Sequence, residues 1–345
     1  MTKIVEEGSA RIEVSEEGKI SKKLSIFYNP KMKFNRDTSI LLLNSVEDED
    51  MQVALPLSGS GIRGLRFLKE LEDGKIKILY MNDKSDEFYD VVKENFELND
   101  ISDREIVVSN EDANLFMLNN KGFDYIDIDP FGSPNPFLDA AVTRLARGGI
   151  LAVTATDTAP LCGTYKEACK RKYWANPLNN ELKHEAGLRI LIRKVQLIGS
   201  QFEKALIPIF SFSRDHYFRV FFRCYKSKTR VDEVIDQHGL LEGAGPMWLG
   251  DLWDKKLVED MYNNCSEANK KFLKLILEES KIKTVGFFDI HQICEDEKLS
   301  PPKTENVMEK VREKGFEVSR THFSGYGIKS DITREDILNF IKDLQ

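Results

Sequence analysis

The chain has 345 residues, of which 41% are hydrophobic and 31% are charged, and its formal net charge is −7. This length is sufficient for two domains with separate cores, and no apolar run is long enough to span a membrane. The acidic balance argues against a general nucleic-acid-binding protein, although the charge is unevenly distributed. No signal peptide is expected from the first residues.

A repeating strand–helix pattern is predicted for the first half of the chain. Residues 25–30 form a short predicted strand that ends at a proline, and Asn35-Arg36-Asp37 is predicted to cap the helix that follows. Further strands are predicted at residues 51–57, 76–81, 106–108, 125–128 and 150–154, with helices between them. Short apolar strands alternating with helices indicate an α/β fold with a parallel sheet covered on both faces.

The second half of the chain has a different pattern. Two β-rich runs at 205–212 and 217–222 predict an antiparallel hairpin at the edge of the sheet. Beyond residue 228 charged helices dominate, with a turn or linker at 243–246. The predicted helices in this region cover residues 255–265, 268–280, 304–314 and 334–344. We therefore expect two domains, residues 1–228 and a smaller α-rich domain of residues 229–345.

A glycine-rich turn follows the strand at 51–57. Residues 59–64 have the spacing G-x-G-x-x-G, and Asp83 follows at the end of the next strand. Glycines here let the backbone approach a ligand at a helix N-terminus, and an acidic residue after the next strand can bind ribose hydroxyls. The turn alone does not distinguish a nicotinamide dinucleotide from S-adenosylmethionine, since both contain adenosine.

Two further strand ends favour methyl transfer over hydride transfer. Glu111-Asp112-Ala113 follows the third strand and could bind an adenine edge. Asp129-Pro130-Phe131-Gly132 follows the fourth strand and combines a carboxylate with an aromatic ring. Ligands of open α/β sheets bind beyond the carboxyl ends of the strands, so these turns would meet at one site. A base with an exocyclic amine would fit there, although an ordinary strand-end turn could have the same composition.

Positive charge is concentrated in residues 161–230, which contain 15 Lys and Arg residues against 5 Asp and Glu residues. Aromatic residues such as Tyr165 and Trp174 lie among these cations. The segment could bind phosphates, but a solvated helix face could have the same composition. His216 and Tyr217 of the predicted hairpin are interpreted as structural or RNA-contacting residues, and His216 is not expected to be a catalytic base.

Several motifs together resemble the tRNA guanine-26 N2-dimethyltransferase family, in particular its archaeal members. The matching stretches are residues 27–30, 35–37, 58–64, 127–134, 154–163, 215–219, 320–324 and 327–329. The resemblance implies a class I methyltransferase domain with a mostly parallel seven-stranded Rossmann-like sheet. It also implies a family-specific C-terminal domain, S-adenosyl-L-methionine as methyl donor, and tRNA as substrate, whose guanine 26 becomes N2-methyl- and then N2,N2-dimethylguanine.

The resemblance also implies roles for individual residues. In the donor site, the resemblance implies that arginines lie near the carboxylate of the donor and that Asp83 binds its ribose. It also implies that residues after the third predicted strand contact its adenine. These donor residues are Arg36, Arg66, Asp83, Asp112, Ala113, Ser58, Gly59 and Gly61, with Arg63 as a rival for Arg66.

The target base is expected to contact three catalytic residues. Asp129 would accept a hydrogen bond from the guanine amine and take its proton, while Phe131 and Phe27 would sandwich the base. Asp127 is expected to face the opposite side of the strand and to be structural. The guanine must first swing out of its stack to reach such a pocket.

The chain departs from the family pattern in two places. Family members usually have an acidic residue before the glycine turn, whereas Leu55-Pro56-Leu57 supplies none, so a backbone carbonyl is expected to hold the donor amino group. Some relatives also have a zinc-binding cysteine cluster. This chain has five cysteines without a C-x-x-C pair, so we expect no metal, no disulfide framework and a cytoplasmic protein.

The sequence is also compatible with three functions other than tRNA guanine methylation. A nicotinamide-dependent oxidoreductase would explain the glycine turn and would bind NAD. A non-catalytic RNA-binding protein would bind tRNA without transferring a methyl group. A methyltransferase for an adenine or cytosine amine would use a similar Asp-Pro-aromatic turn.

Overall fold

The structure is a computed structural model that describes residues 2–15, 28–102 and 105–345. Most of the predicted strand at 25–30 lies outside these residues. The strands β1 to β14 are Thr2–Glu7, Ala10–Ser15, Met51–Leu55, Ile76–Asn82, Ile106–Ser109, Phe123–Ile128, Leu145–Ala155, Lys204–Arg214, Tyr217–Lys226, His238–Leu241, Ala244–Trp248, Phe288–Asp289, Val318–Arg320 and Gly327–Ser330.

The helices lie between these strands, and several begin at residues with a clear capping role. The Asp112 side chain caps α4, and Thr333 with Asp336 forms a capping box at α14. The helices α1 to α14 are Lys33–Ser45, Ile62–Glu70, Phe88–Leu98, Ala113–Asn119, Leu138–Arg144, Thr158–Leu161, Lys166–Tyr173, Lys183–Gln201, Lys228–Asp236, Lys255–Asn264, Glu267–Glu279, Ile290–Glu297, Thr304–Glu313 and Arg334–Asp343.

The central element is a seven-stranded sheet with the order β5-β4-β3-β6-β7-β9-β8. Strands β3 to β7 pair in parallel, which confirms the predicted parallel sheet. Strands β8 and β9 are joined by a two-residue turn and lie at one edge, so the predicted edge hairpin is also present. The inner strands are almost entirely buried, which explains their continuous apolar sequences.

The N-terminal hairpin β1-β2 covers the helices that follow the first two sheet strands. Ala10, Ile12 and Val14 alternate along β2 and form a small core with Ile62 and Leu65 of α2. This period-two pattern places one face of the hairpin on the protein interior. The hairpin thereby brings Glu7, at the end of β1, to the helix that begins at the glycine turn.

The predicted helix cap at Asn35-Arg36-Asp37 was wrong. These residues lie inside α1, which begins at Lys33, and a 3-10 turn at Pro30–Met32 precedes it. The side chain of Asn29 caps that turn by accepting a hydrogen bond from the backbone N–H of Lys31. Pro30 fits the first position of the 3-10 turn, because its fixed φ and missing N–H suit the start of a helical turn.

Two compact units are distinguished by their internal contacts. One consists of Met1–Ala155, Ile198–Ile207 and Phe221–Val231, and the other of Thr156–Leu197, Pro208–Val220 and Asp232–Gln345. Each unit is therefore built from several chain segments. The predicted division near residue 228 stays a prediction about where a family-specific domain begins.

The second unit contains strands that were not predicted. Strands β12, β14 and β13 form a small sheet, and β10 and β11 form a hairpin whose turn contains Gly243. The four C-terminal helices predicted from the sequence are all present within one or two residues of the predicted ends. Within the described part of the chain, no helix combines the length and the hydrophobicity needed to cross a bilayer.

A buried ionic cluster lies inside this second unit. The Glu279 carboxylate accepts hydrogen bonds from the Thr321 hydroxyl at 2.6 Å and from the His322 backbone N–H at 3.1 Å, and its Oε2 lies 2.7 Å from His322 Nδ1. Lys329 Nζ lies 3.5 Å from Glu279 Oε1 and 3.3 Å from Glu185 Oε2. Burial raises the pKa of Glu279, but the charges of His322 and Lys329 outweigh this effect and lower its pKa to about 2.

We predict that Glu279→Gln changes the acid sensitivity of folding. Because the pKa is lower in the folded state, the carboxylate stabilises the fold above its ordinary pKa of 4.5, and this contribution is lost as pH falls towards 2. The stability difference between wild type and Glu279→Gln should therefore shrink by about 3 kcal/mol from pH 5 to pH 2. Urea unfolding across this range measures it.

Glu278→Gln is the matched control, since Glu278 lies on the same helix with a side chain that is 48% exposed. We expect its stability difference from wild type to be small at every pH. A pH-independent effect of Glu279→Gln would contradict the assignment.

Candidate active site

Four turns meet at one edge of the central sheet. They follow β3, β4, β5 and β6, which are neighbours in the sheet and run in parallel. The carboxyl ends of parallel strands lie at the same edge, and this edge is where ligands of open α/β sheets bind. The turns of residues 58–61, 83–85, 110–112 and 129–132 therefore form one candidate site.

The glycine turn after β3 and the start of α2 are tightly packed against β4. Gly59 and Gly61 have φ angles of 54° and 78°, which favour glycine. A Cβ at Gly64 would lie 2.6 Å from Met81 Sδ, so the third glycine of the motif allows α2 to pack closely on β4. The motif glycines therefore serve turn formation and close packing, and the predicted approach of the backbone to a ligand stays a prediction.

Asp83 joins the glycine turn to the end of β4. Its Oδ2 accepts a hydrogen bond from the Gly59 N–H at 2.9 Å, and its Oδ1 accepts one from the Ser85 N–H at 3.1 Å. The Ser58 N–H donates to the Asn82 carbonyl at 2.9 Å. The carboxylate is therefore fixed beside the glycine turn, where the sequence placed it.

Asn82 is a buried polar residue that the sequence analysis missed. Its Nδ2 donates to the carbonyls of Pro56 and Glu111, both at 3.0 Å, and its Oδ1 accepts from the Glu111 N–H. One amide thus connects three of the four turns. A signal was present in the sequence, because an asparagine ends an otherwise apolar strand directly before Asp83.

Asp112 and Ala113 lie where the turn after β5 leads into α4. The Asp112 Oδ1 accepts hydrogen bonds from the N–H groups of Asn114 and Leu115, while Ala113 is buried. One carboxylate oxygen is thereby committed to the helix cap. The predicted contact with an adenine edge would use the other oxygen and the backbone.

Asp129 forms the fourth corner of the site and is bound by Arg63. The Asp129 Oδ2 lies 2.5 Å from the Arg63 NH2, and the Asp129 side chain is 18% exposed. The Arg63 guanidinium also donates to Ser39 Oγ at 2.8 Å and to Asn35 Oδ1 at 2.9 Å. Arg63 belongs to the first turn of α2, so the glycine turn and the Asp129 turn are connected by one side chain.

The prediction that Asp127 faces away from Asp129 was wrong. Asp127 Oδ2 lies 3.2 Å from Arg63 NH1 and accepts a hydrogen bond from the Tyr125 hydroxyl at 2.6 Å. Residues 127 and 129 are two positions apart and therefore share one side of an extended chain. The Asp127 side chain is only 1% exposed, and its structural role stays a prediction.

The two aromatic residues predicted to hold the base differ in what the structure describes. Phe131, which lies in the same turn as Asp129, is 43% exposed. Phe27 lies outside the described residues. A large apolar side chain that is exposed at the end of a sheet strand is a candidate for ligand contact.

Arg36 and Arg66 lie in a buried cluster of carboxylates. Arg36 Nε and NH2 donate to the two Glu7 oxygens at 2.7 and 2.5 Å. Arg66 NH1 lies 2.9 Å from Glu7 Oε1 and 2.7 Å from Asp37 Oδ1, while its NH2 lies 2.8 Å from Glu70 Oε2. Both predicted ligands of the donor carboxylate thus already bind carboxylates of the protein.

The charge balance of this cluster is reflected in its pKa values. Burial raises the pKa of Glu7, but hydrogen bonds and charge from Arg36 and Arg66 outweigh it, so the pKa lies below the ordinary value. Burial and the Glu7 carboxylate raise the pKa of Tyr28, whose hydroxyl donates to Glu7 at 3.0 Å, to about 12. Glu7 is therefore an anion within hydrogen-bonding distance of two cations.

The remaining residues singled out from the sequence lie in the edge hairpin. Tyr217 is buried and contacts the Phe212 ring edge to face, which supports the structural interpretation for this residue. His216 is exposed at the hairpin turn. Neither observation assigns a catalytic role.

Comparisons with known proteins agree on one family. A family model described as N2,N2-dimethylguanosine tRNA methyltransferase matches residues 8–243 and 241–342. The tRNA (guanine(26)-N(2)/guanine(27)-N(2))-dimethyltransferase of Aquifex aeolicus is 38% identical and is aligned over 99% of this chain and 96% of its own length. The tRNA (guanine(26)-N(2))-dimethyltransferase of Methanocaldococcus jannaschii is also 38% identical, over 98% of both chains.

A solved structure has the same fold over nearly the whole chain. It is the complex of Trm1 from Pyrococcus horikoshii with S-adenosyl-L-methionine, which is 35% identical and superposes with a TM-score of 0.87. The match covers 98% of this chain and 99% of that one. The chain belongs to the N2,N2-dimethylguanosine tRNA methyltransferase family.

Proposed function

We propose that this protein is an S-adenosyl-L-methionine-dependent tRNA methyltransferase. It dimethylates the exocyclic N2 of guanine 26, through N2-methylguanine. The observation that carries the proposal is the Asp129 carboxylate, which Arg63 holds at the end of β6 beside the glycine turn. Family membership and the relatives' names support the substrate and the donor.

The site fits an adenosine-containing donor. Asp83 accepts a hydrogen bond from a backbone N–H on each carboxylate oxygen, and each oxygen has further lone pairs for ribose hydroxyls. Asp112 and Ala113 would contact the adenine, and the backbone at Ser58, Gly59 and Gly61 would pass close to the donor. S-adenosyl-L-methionine would supply the electrophilic methyl group at this site.

Arg36 is the better placed of the two arginines to hold the donor's carboxylate. Arg66 is surrounded by Glu7, Asp37 and Glu70, whereas Arg36 contacts Glu7, the Asn29 carbonyl and the ring of Tyr28. The NH1 group of Arg36 makes none of these hydrogen bonds. We propose that Arg36 contacts the donor directly and that Arg66 keeps Glu7 in place.

Asp129 is proposed to orient the guanine amine and accept its proton. The N2 lone pair is delocalised into the ring, so the amine is a weak nucleophile until it is turned towards its electrophile. Arg63 occupies Oδ2, while Oδ1 makes no hydrogen bond with any residue in the described ranges. Oδ1 could therefore accept an N–H of the amine while positioning supplies much of the rate.

Phe131 and Phe27 are proposed to hold the plane of the base. Stacking on an aromatic ring is worth about 1–3 kcal/mol per base, and it fixes the direction of the exocyclic amine. A guanine within folded tRNA must leave its stack to reach an Asp129 turn at a sheet edge. Residues 229–345 are proposed to help bind the tRNA, and the protein is proposed to act in the cytoplasm without a metal ion.

The function is tested with an unmodified tRNA transcript, labelled methyl donor and mass analysis of the nucleosides. We expect N2-methylguanine first and N2,N2-dimethylguanine later. Asp129→Asn should lower kcat by about 10²- to 10⁴-fold with little change in KM, because the carboxylate acts on the amine proton. Asp139→Asn is the control, since Asp139 is an exposed carboxylate ten residues away. Label on a base other than guanine would refute the substrate assignment.

Arg63 is proposed as a positioning residue for Asp129, and its variants separate position from charge. Arg63→Lys retains the cation but cannot bind both carboxylates with a rigid fork, so kcat should fall by about 10²-fold at constant KM. Arg63→Ala leaves the buried Asp127 without its cation and should cost about 3–5 kcal/mol of stability. Added guanidinium ion should restore part of the activity of Arg63→Ala. Unchanged kcat in a folded Arg63→Lys variant would contradict this role.

The name of the Aquifex aeolicus relative includes guanine 27, which raises a second methylation position as an alternative. The Methanocaldococcus jannaschii relative is named for guanine 26 alone. We expect methylation at position 26 only. Transcripts with adenine at 26 and guanine at 27 test this by fragment mass analysis. Methyl groups at position 27 would extend the specificity to both guanines.

A further inference from the structure

The helix α7 presents an exposed, positively charged surface in the second unit. We call Tyr165, Lys166, Lys170, Arg171, Lys172 and Trp174 the α7 surface, and each of these residues is exposed. The helix itself contains four cations and one acidic residue, Glu167. The question is whether this charge is a solvated helix face or a binding surface.

The structure divides the cations of the basic segment into two groups. Some are buried and satisfied inside the protein, such as Arg189 on Glu185 and Lys204 on backbone carbonyls. Seven cations of residues 161–230 are exposed, and four of the seven lie on α7. The other three lie in the first unit. Within the second unit, the exposed cations of this segment are therefore concentrated on one short helix.

Two exposed aromatic side chains flank these cations. Tyr165 precedes α7 and is 62% exposed, and Trp174 follows it and is 49% exposed. The Lys194 ammonium lies 3.0 Å from the centre of the Trp174 ring, so one ring face is occupied by a cation. The exposed half of Trp174 can stack with a second ring.

The α7 surface is held in place from below. Tyr173 is buried and its hydroxyl donates to Asp157 Oδ1 at 2.6 Å, while Lys172 Nζ lies 3.2 Å from Asp157 Oδ2. Cys169 is fully buried. Its burial, together with the smaller effect of the Asp157 charge, raises the pKa of the thiol to about 12. Trp174 has a φ of 56°, a conformation that non-glycine residues rarely adopt. The backbone is therefore fixed where the tryptophan is displayed.

We propose that the α7 surface binds the tRNA substrate, with its cations on backbone phosphates and Trp174 on an unstacked base. This inference rests on the proposed function, which supplies a folded polyanion as substrate. Cations interspersed with exposed aromatic rings match the chemistry of single-stranded or unstacked nucleic acid. The surface contributes to affinity and takes no part in the methyl transfer itself.

The double variant Lys170→Gln/Arg171→Gln tests the phosphate contacts. The control is Lys69→Gln/Lys93→Gln, at two exposed residues of α2 and α3 outside the segments proposed to bind the tRNA. Lys170 pairs with Glu167 at 2.9 Å on the surface of α7. The two double variants remove the same charge from the surface of the protein.

We expect the α7 variant to raise KM for tRNA about tenfold with kcat unchanged, because uniform binding is lost. Its binding should also depend less on salt, with a slope of log K against log[salt] that is smaller by about 1.5. Trp174→Ala should raise KM for tRNA by about tenfold without changing the salt slope. The control should retain wild-type values of both quantities.

Two results would overturn the inference. One is a KM and salt slope for the α7 variant equal to those of the control, in folded protein with wild-type kcat. The other is unchanged tRNA binding together with lost binding to vesicles of anionic phospholipid, which would assign the surface to a membrane. Failure of the proposed function is distinct, because the wild-type protein would then incorporate no methyl group into tRNA.

Discussion

The geometry of the candidate site depends on the pairing of Arg63 with Asp127 and Asp129. One guanidinium pairs with two carboxylates, that of Asp127 near the end of β6 and that of Asp129 directly after this strand. Arg63 lies in the first turn of α2, directly after the glycine turn. The elements proposed to hold the donor and the target base are therefore connected through one helical turn. Their separation is set by a rigid element and not by long loops, as methyl transfer between two bound molecules requires.

Charge has two different uses in this chain, and composition does not separate them. Glu279, Glu185 and Lys329 are buried and compensate one another, as do Glu7 and the two arginines that it binds. Such clusters cost desolvation energy and persist only when each ion has partners. The α7 cations are exposed, and Lys170 pairs with Glu167 and Lys172 with Asp157 at the surface of this helix. Burial is what distinguishes a structural cation from one available to a phosphate.

The sequence predicted the sheet better than the contacts of its site. Strand–helix alternation and the glycine turn follow local rules, and the structure confirms them. The position of Arg63 depends on which side chains α2 and β6 bring together, so its pairing with Asp129 was not predictable from spacing. The side of the strand on which Asp127 lies was predictable, because residues two positions apart share one side. The sequence prediction misapplied this rule. The small C-terminal sheet was missed because β12, β13 and β14 are only two to four residues long.

The proposed Asp129 geometry is compatible with two successive methyl transfers. Each transfer requires one N–H of the amine to be held away from the lone pair that attacks. Guanine has two such hydrogens and N2-methylguanine has one, so a single acceptor oxygen is sufficient for both steps. Arg63 occupies Oδ2 and thereby assigns that function to Oδ1. The added methyl group then needs space where the first N–H pointed, and Phe131, in the turn that contains Asp129, is 43% exposed. In the proposed mechanism, a carboxylate held through one oxygen thus acts on the unmethylated and the monomethylated amine by the same contact.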